Sequence, residues 1–171
     1  MKLYFIGYKG RGIISRLIRF VTRGNYSHVG QIISEDPKPK NSHLKELSAY
    51  EKIGEVGVTS PESHKNNTPY DVFSVKVSKP QYDAFLLAKG NIVGQKYDYG
   101  GILDFLFDTS LFNNKNKWFC SEAETYCLKK AKINAFDWFV QDPKKTSPHQ
   151  LLSSPIFNYE FSGLSSKLEK L

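Results

Sequence analysis

Cysteine is scarce in this chain: Cys120 and Cys127 are the two among 171 residues. Seven residues of helix rise about 10 Å, more than a disulfide can span, so both are expected to be free thiols of a reducing compartment. No CxxC pair and no His-x-x-x-His occurs, so no linear pattern points to a metal site, and no metal is expected. Long apolar runs are missing too. No stretch approaches the roughly 18 to 20 residues needed to cross a bilayer. The first apolar run, Leu3 to Ile6, falls short of the roughly 7 to 15 residues of a signal-peptide core. The expectation is a soluble, cytoplasmic protein that meets the exterior only if another route delivers it. No period of 20 to 50 residues recurs, which excludes a solenoid.

What is present suits one globular unit. Hydrophobic residues make up 40% and aromatics 14%, enough to bury a core, so a single domain over residues 1–171 is expected. The formal net charge of +7 favours anionic partners: nucleic acid, a membrane surface or an acidic polymer. The lysines are spread along the chain as on a solvated surface, and no recognised nucleic-acid-binding motif accompanies them. Nucleic acid is therefore not expected as a partner.

Residues 3–8 (LYFIGY) read as a strand closed by Lys9-Gly10-Arg11-Gly12. Ile13, Ile14, Leu17, Ile18 and Val21 then recur at helical spacing, with Arg16, Arg19 and Arg23 on other faces. This predicts a helix over about 13–22, stopped by Gly24-Asn25. Its arginines either solvate an outer face or sit on a membrane or anionic substrate. Residues 26–33 (YSHVGQII) read as a strand in which His28, Gly30 and Ile32 share one face. Residues 34–42 read as a loop, 44–50 as a strand, 56–59 as another after a turn at Gly54, and 60–69 as a polar surface loop. A strand over 70–77 precedes a helix begun by Pro80 and continued to Gly94. Residues 113–117 read as a loop, and WFCSEAETYCLKKA as a helix with a Lys-rich last turn. Ser147-Pro148 and Ser154-Pro155 mark turns, and residues 157–161 a final strand. The order suggests α+β, an antiparallel sheet packed against helices.

Chemistry centres on Cys120. It lies at or near the start of the predicted helix, where free backbone N–H groups favour a thiolate and can hold an oxyanion, Ser121 being the next residue of that turn. Free cysteines are also commonly inert core residues, which suits Cys127 in mid-helix. Position alone does not choose between these roles for Cys120. Imidazole is the natural partner of a thiol, and His28 stands in a strand, which aims its side chain well. A strand histidine can equally be structural. His43, His64 and His149 fall in polar stretches and read as ordinary surface residues.

Taken together, ISRLIRFVTRGNYSHVGQII, YDYGG, WFCSEAETYCLKKA and TSPHQLLSSPIF resemble the circularly permuted papain-like cysteine hydrolases, the YiiX-like branch of the NlpC-type superfamily. Histidine before cysteine is the permuted order, and the resemblance spans about residues 3–161. It implies a permuted papain-like fold, acyl transfer through Cys120 with His28 as general base, and no metal or organic cofactor. It also implies a peptide, amide or acyl-ester substrate, with related families acting on peptidoglycan peptides, other amides or lipid acyl groups. The family places a third polar residue on the strand after the histidine. Glu46 is preferred because a carboxylate both orients and stabilises imidazolium. Ser48 on the same face and Glu51 further along remain alternatives. Tyr97 matches the family tyrosine near the nucleophile, with Tyr99 as rival, and Glu122 is read as capping the first helical turn.

Overall fold

The computed structural model describes residues 1–33, 44–50, 53–64, 67–107, 117–136 and 142–165. The expected loops over 34–42 and 113–116, His43 and Glu51 lie outside the described residues. In chain order the elements are β1 (Lys2–Tyr8), α1 (Ile13–Val21), β2 (His28–Ile32), β3 (Glu46–Tyr50), β4 (Glu55–Thr59) and β5 (Pro69–Lys76). There follow α2 (Lys79–Gly90), β6 (Lys96–Tyr97), α3 (Tyr99–Phe107), β7 (Lys117–Trp118), α4 (Cys120–Lys130), α5 (Pro148–Leu152) and β8 (Asn158–Leu164). The protein is α+β, as its element order suggested.

The eight strands form one sheet in the order β7-β6-β4-β3-β2-β1-β5-β8. It is not wholly antiparallel as expected: β6 and β7 pair in parallel, because α3 and the chain after it intervene between these two short strands. Period-two alternation sorts the strand side chains into two layers. Leu3 and Phe5 of β1 join Val29, Ala49, Val56 and Val75 under Phe85 of α2 and Ala123, Cys127 and Leu128 of α4. Ile6 and Tyr8, the alternate residues of β1, join Ile32, Leu44, Tyr70 and Val72 in a smaller cluster.

Local chemistry explains the helix starts. Ser78 caps α2 by accepting from the Gln81 N–H, with the Gln81 side chain reaching back and Pro80 in the first turn. Ser147 and Gln150 repeat that device at α5. Helix α2 stops at Gly90, earlier than its apolar pattern suggested, because Asn91 to Gly94 form a turn ending at a positive φ of 79°. The Lys89–Glu124 ion pair, fully buried on both sides, ties α2 to α4. Helix α4 in turn packs on β2 and β3. The start of α4 is thereby brought to the start of β2.

Candidate active site

Two element starts define the site. Cys120 is the first residue of α4, and His28 is the first residue of β2, paired with Tyr8 at the end of β1. The His28 imidazole lies within electrostatic reach of the Cys120 sulfur, although 92 positions separate them in the chain. Both are buried. Cys120 and Cys127 are free thiols, two turns apart on one helix as expected.

Glu46, the first residue of β3, also meets His28, its Oε1 3.6 Å from His28 Nε2. It is 1% exposed, so it is no surface glutamate. Thr59 donates to Oε1 at 2.7 Å, and Ser48 Oγ donates to the same oxygen at 3.4 Å. Ser48 therefore braces Glu46 rather than replacing it beside His28. Gly30 makes this crowding feasible. A Cβ there would stand 3.0 Å from the Ser48 Cβ and 3.3 Å from the Glu46 carboxylate, which explains why the His28 strand needs glycine two residues on.

The electrostatics follow from burial against charge. Burial opposes the imidazolium of His28, but the Cys120 sulfur and the Glu46 carboxylate outweigh it and hold its pKa up, at about 10. Burial likewise opposes the Glu46 carboxylate, yet His28 and His64 hold its pKa well below the usual carboxylate range. The Tyr8 hydroxyl is pushed up by burial and by the nearby Glu46 charge. Around neutral pH the cluster therefore favours a charged imidazole between sulfur and carboxylate.

His64 is the residue that sequence reasoning missed. The stretch 60–69 was expected to be a surface loop and His64 ordinary. Instead, Ser60 and Pro61 start a short 3-10 turn, Pro61–Ser63, which folds inward. The Tyr50 hydroxyl holds it by donating to the Ser63 carbonyl at 3.1 Å. His64 is delivered against Glu46, with Nε2 3.6 Å from Oε1, and its ring stacks on Tyr8 at 3.6 Å between centroids. The Ser60-Pro61 start signal was legible in the sequence, but its direction depends on Tyr50 and Tyr8. His149 lies on α5, with Nδ1 3.3 Å from Ser153 Oγ, and stays apart from this cluster.

His28, Glu46 and His64 together offer three ligand atoms within 4.8 Å of one another, a set able to hold a metal ion. The linear search for metal spacing could not see it, because the three come from three separate segments.

The remaining candidates are divided. Tyr97 is buried and lines a cavity of about 90 Å³ with His28, Tyr50 and His64. Tyr99 is mostly exposed, packing edge-on against Tyr97 at 4.9 Å. Gly101 permits a close approach: its N–H donates to Asp98 Oδ1 at 2.8 Å, and a Cβ there would strike that carboxylate. Ser121 is fully buried, and its hydroxyl finds no hydrogen-bond partner among the described residues. Glu122 sits 3.5 Å from the Phe119 N–H, in the capping position expected of it, and burial pushes its carboxyl up to about 7.

No protein-family model matches the sequence, and no curated protein matches it either. A solved structure does: the crystal structure of the metalloprotein YiiX from Escherichia coli O157:H7. It is 16% identical, with 94% of this chain and 96% of YiiX covered at a TM-score of 0.66. At that identity the likeness is one of backbone architecture rather than of activity. Among the described residues, no helix is long and apolar enough to cross a membrane. The chain has a YiiX-like α+β fold.

Proposed function

We propose that the protein is a cysteine-dependent hydrolase, one permuted papain-like domain in which Cys120, His28 and Glu46 act together. The observation that carries this reading is the convergence of three buried groups: the Cys120 sulfur and the Glu46 carboxylate both act on the His28 imidazole. A thiol alone is a weak nucleophile, and a neighbouring base oriented by a third group is the arrangement that activates it. The proton shared between Cys120 and His28 rests on the imidazole, leaving the sulfur as the attacking thiolate. The thiolate adds to a carbonyl carbon, and the oxyanion meets backbone N–H groups at the α4 N-terminus, with Ser121 and Tyr97 as nearby polar candidates. His28 then protonates the departing amine or alcohol, leaving a thioester on Cys120. Water attacks the thioester, giving its proton to His28, and the acid leaves as the proton returns to sulfur. Glu46 stabilises imidazolium throughout. The favoured substrates are amides, peptides or isopeptides, peptidoglycan peptides among them. Lipid acyl esters are the second choice, and a non-catalytic binding module on the same fold is the third.

The test is turnover of peptidoglycan fragments, isopeptides and fatty-acyl esters, with Cys120→Ala as control. A thioester adduct at Cys120, trapped by acid quench and seen by mass spectrometry, is the expected signature. Turnover that survives Cys120→Ala would overturn the reading.

A second reading rests on the His28–Glu46–His64 cluster and on the description of YiiX as a metalloprotein. Two Nε2 atoms 3.6 Å from one carboxylate oxygen are too far apart for good hydrogen bonds. Ligands of one divalent ion at about 2.0 to 2.2 Å sit roughly 3.3 Å from each other, so a small contraction would fit zinc. Such an ion would supply Lewis-acid chemistry and would compete with Cys120 for His28. Calorimetric zinc titration distinguishes the two readings. Stoichiometric uptake lost in His64→Ala supports the metal, and no uptake removes it.

A further inference from the structure

Helix α1 presents its apolar residues to solvent. Ile13 is 87% and Phe20 81% exposed, and Ile14, Leu17 and Val21 are exposed beside them. At 3.6 residues per turn these five fall within an arc of about 120°. Ile18, on the side beyond Ile14, is the residue of this helix that turns into the protein. A globular helix ordinarily buries such a stripe, so this one is unpartnered among the described residues.

Charge says what would cover it. The net positive charge is not spread evenly, as the scattered lysines first suggested. Residues 1–34 hold six Lys and Arg and no Asp or Glu, whereas the rest of the chain holds 18 cations against 17 anions. Arg16 is exposed and flanks one edge of the apolar stripe with the half-buried Arg19, while Arg11 stands exposed just before the helix and Arg23 just after it. A narrow, convex, apolar stripe edged by arginines is the form of a helix lying in the plane of an anionic bilayer surface, its apolar face among the acyl chains and its cations at the headgroups.

The same segment reaches the candidate site. Gly10, Arg11, Gly12 and Ile14 line the cavity that contains His28 and His64. We propose that α1 docks the protein onto anionic lipid bilayers, with the mouth of the His28 cavity held at the lipid–water boundary. Docking does not depend on the chemistry of Cys120, so failure of one reading leaves the other standing.

The test is co-sedimentation of the intact protein with vesicles of phosphatidylcholine alone and of phosphatidylcholine with about one-third phosphatidylglycerol. The protein should pellet with the anionic vesicles and be released as salt rises. Ile13→Ser with Phe20→Ser should weaken binding roughly tenfold or more, and Arg16→Glu with Arg23→Glu likewise. All four side chains are exposed, and an unchanged melting temperature would show that the fold is kept. Phe20→Trp should give tryptophan emission that shifts to the blue when anionic vesicles are added. Wild-type protein that stays in solution, or pelleting untouched by Ile13→Ser with Phe20→Ser, would overturn the proposal. So would a dimer, seen by ultracentrifugation without vesicle binding, that dissociates in the same double variant. That outcome would assign the stripe to a second copy of the chain.

Discussion

Helix α4 carries two cysteines in opposite circumstances. Cys120, at the N-terminal end, meets an imidazole whose charged form the sulfur and Glu46 favour together, and it stands in the first turn, where backbone N–H groups lack helical partners. Cys127, two turns on, is fully buried beside the Lys89–Glu124 pair, and burial pushes its thiol up to about 12. The residue type is the same and the helix is the same. What differs is whether a negative sulfur finds compensation, and that is decided by which neighbouring elements arrive at each end. Both ends also bury a carboxylate. Glu46 is compensated by two histidines that can move protons, Glu124 by a lysine that simply neutralises it. One end reads as chemistry, the other as architecture.

The contrast is sharpest in turnover. Cys120→Ala is expected to remove on the order of 10⁴-fold or more of the activity, whereas Cys127→Ala should leave kcat/KM within about twofold. Stability should respond the other way. Lys89→Met strands a buried carboxylate and is expected to cost about 3–5 kcal/mol in denaturant melts, with most of it recovered when Glu124→Leu is added. A double variant no better than the single one would break the architectural reading of that end. Next in size is thiol reactivity. Iodoacetamide at neutral pH should label Cys120 on the order of a hundredfold faster than Cys127, and His28→Ala should erase most of that lead. Peptide mapping by mass spectrometry reads both sites in one sample. The smallest effect is on pH dependence. Glu46 is lowered, so its contribution to stability is present above about pH 4.5 and lost as pH falls. His28 is raised, so its contribution is full below about pH 6.5 and lost as pH rises towards 10. Melting temperature should therefore decline on both sides of a weakly acidic to neutral plateau. In Glu46→Gln the acid limb should flatten, since the titrating carboxylate is gone, and the alkaline limb should shrink only in part, since His28 keeps Cys120.

Much of the site's raw material was legible before any coordinates. Helix α4 announces its first turn through the capping residue Glu122, and β2 announces itself by alternation, so Cys120 could be placed at or near a helix start and His28 within a strand. Gly30 could be placed on the His28 face, but its purpose, making room for Glu46 and Ser48, belongs to the neighbouring strand. The preference for Glu46 over Ser48 came from chemistry, and the structure sets its carboxylate, not the Ser48 hydroxyl, beside the imidazole. His64 escaped because a polar, proline-containing stretch looks solvated in one dimension. The Tyr8 ring and the Tyr50 hydroxyl help to turn it inward. The parallel β6–β7 pair escaped for a related reason, since each strand is two residues long and carries no periodicity to read.

By itself the sequence determined the local elements, the two free thiols, the scarcity of linear metal motifs and the concentration of positive charge in residues 1–34. Those properties depend on neighbours a few positions apart, or on composition alone. Tertiary structure decided which buried groups share a charge: the sulfur with His28, His28 and His64 with Glu46, and Lys89 with Glu124. It also decided that the apolar face of α1 stays outside. Side chains 18 to 92 positions apart meet only when sheet register and helix packing bring them together, and no short-range pattern encodes that meeting.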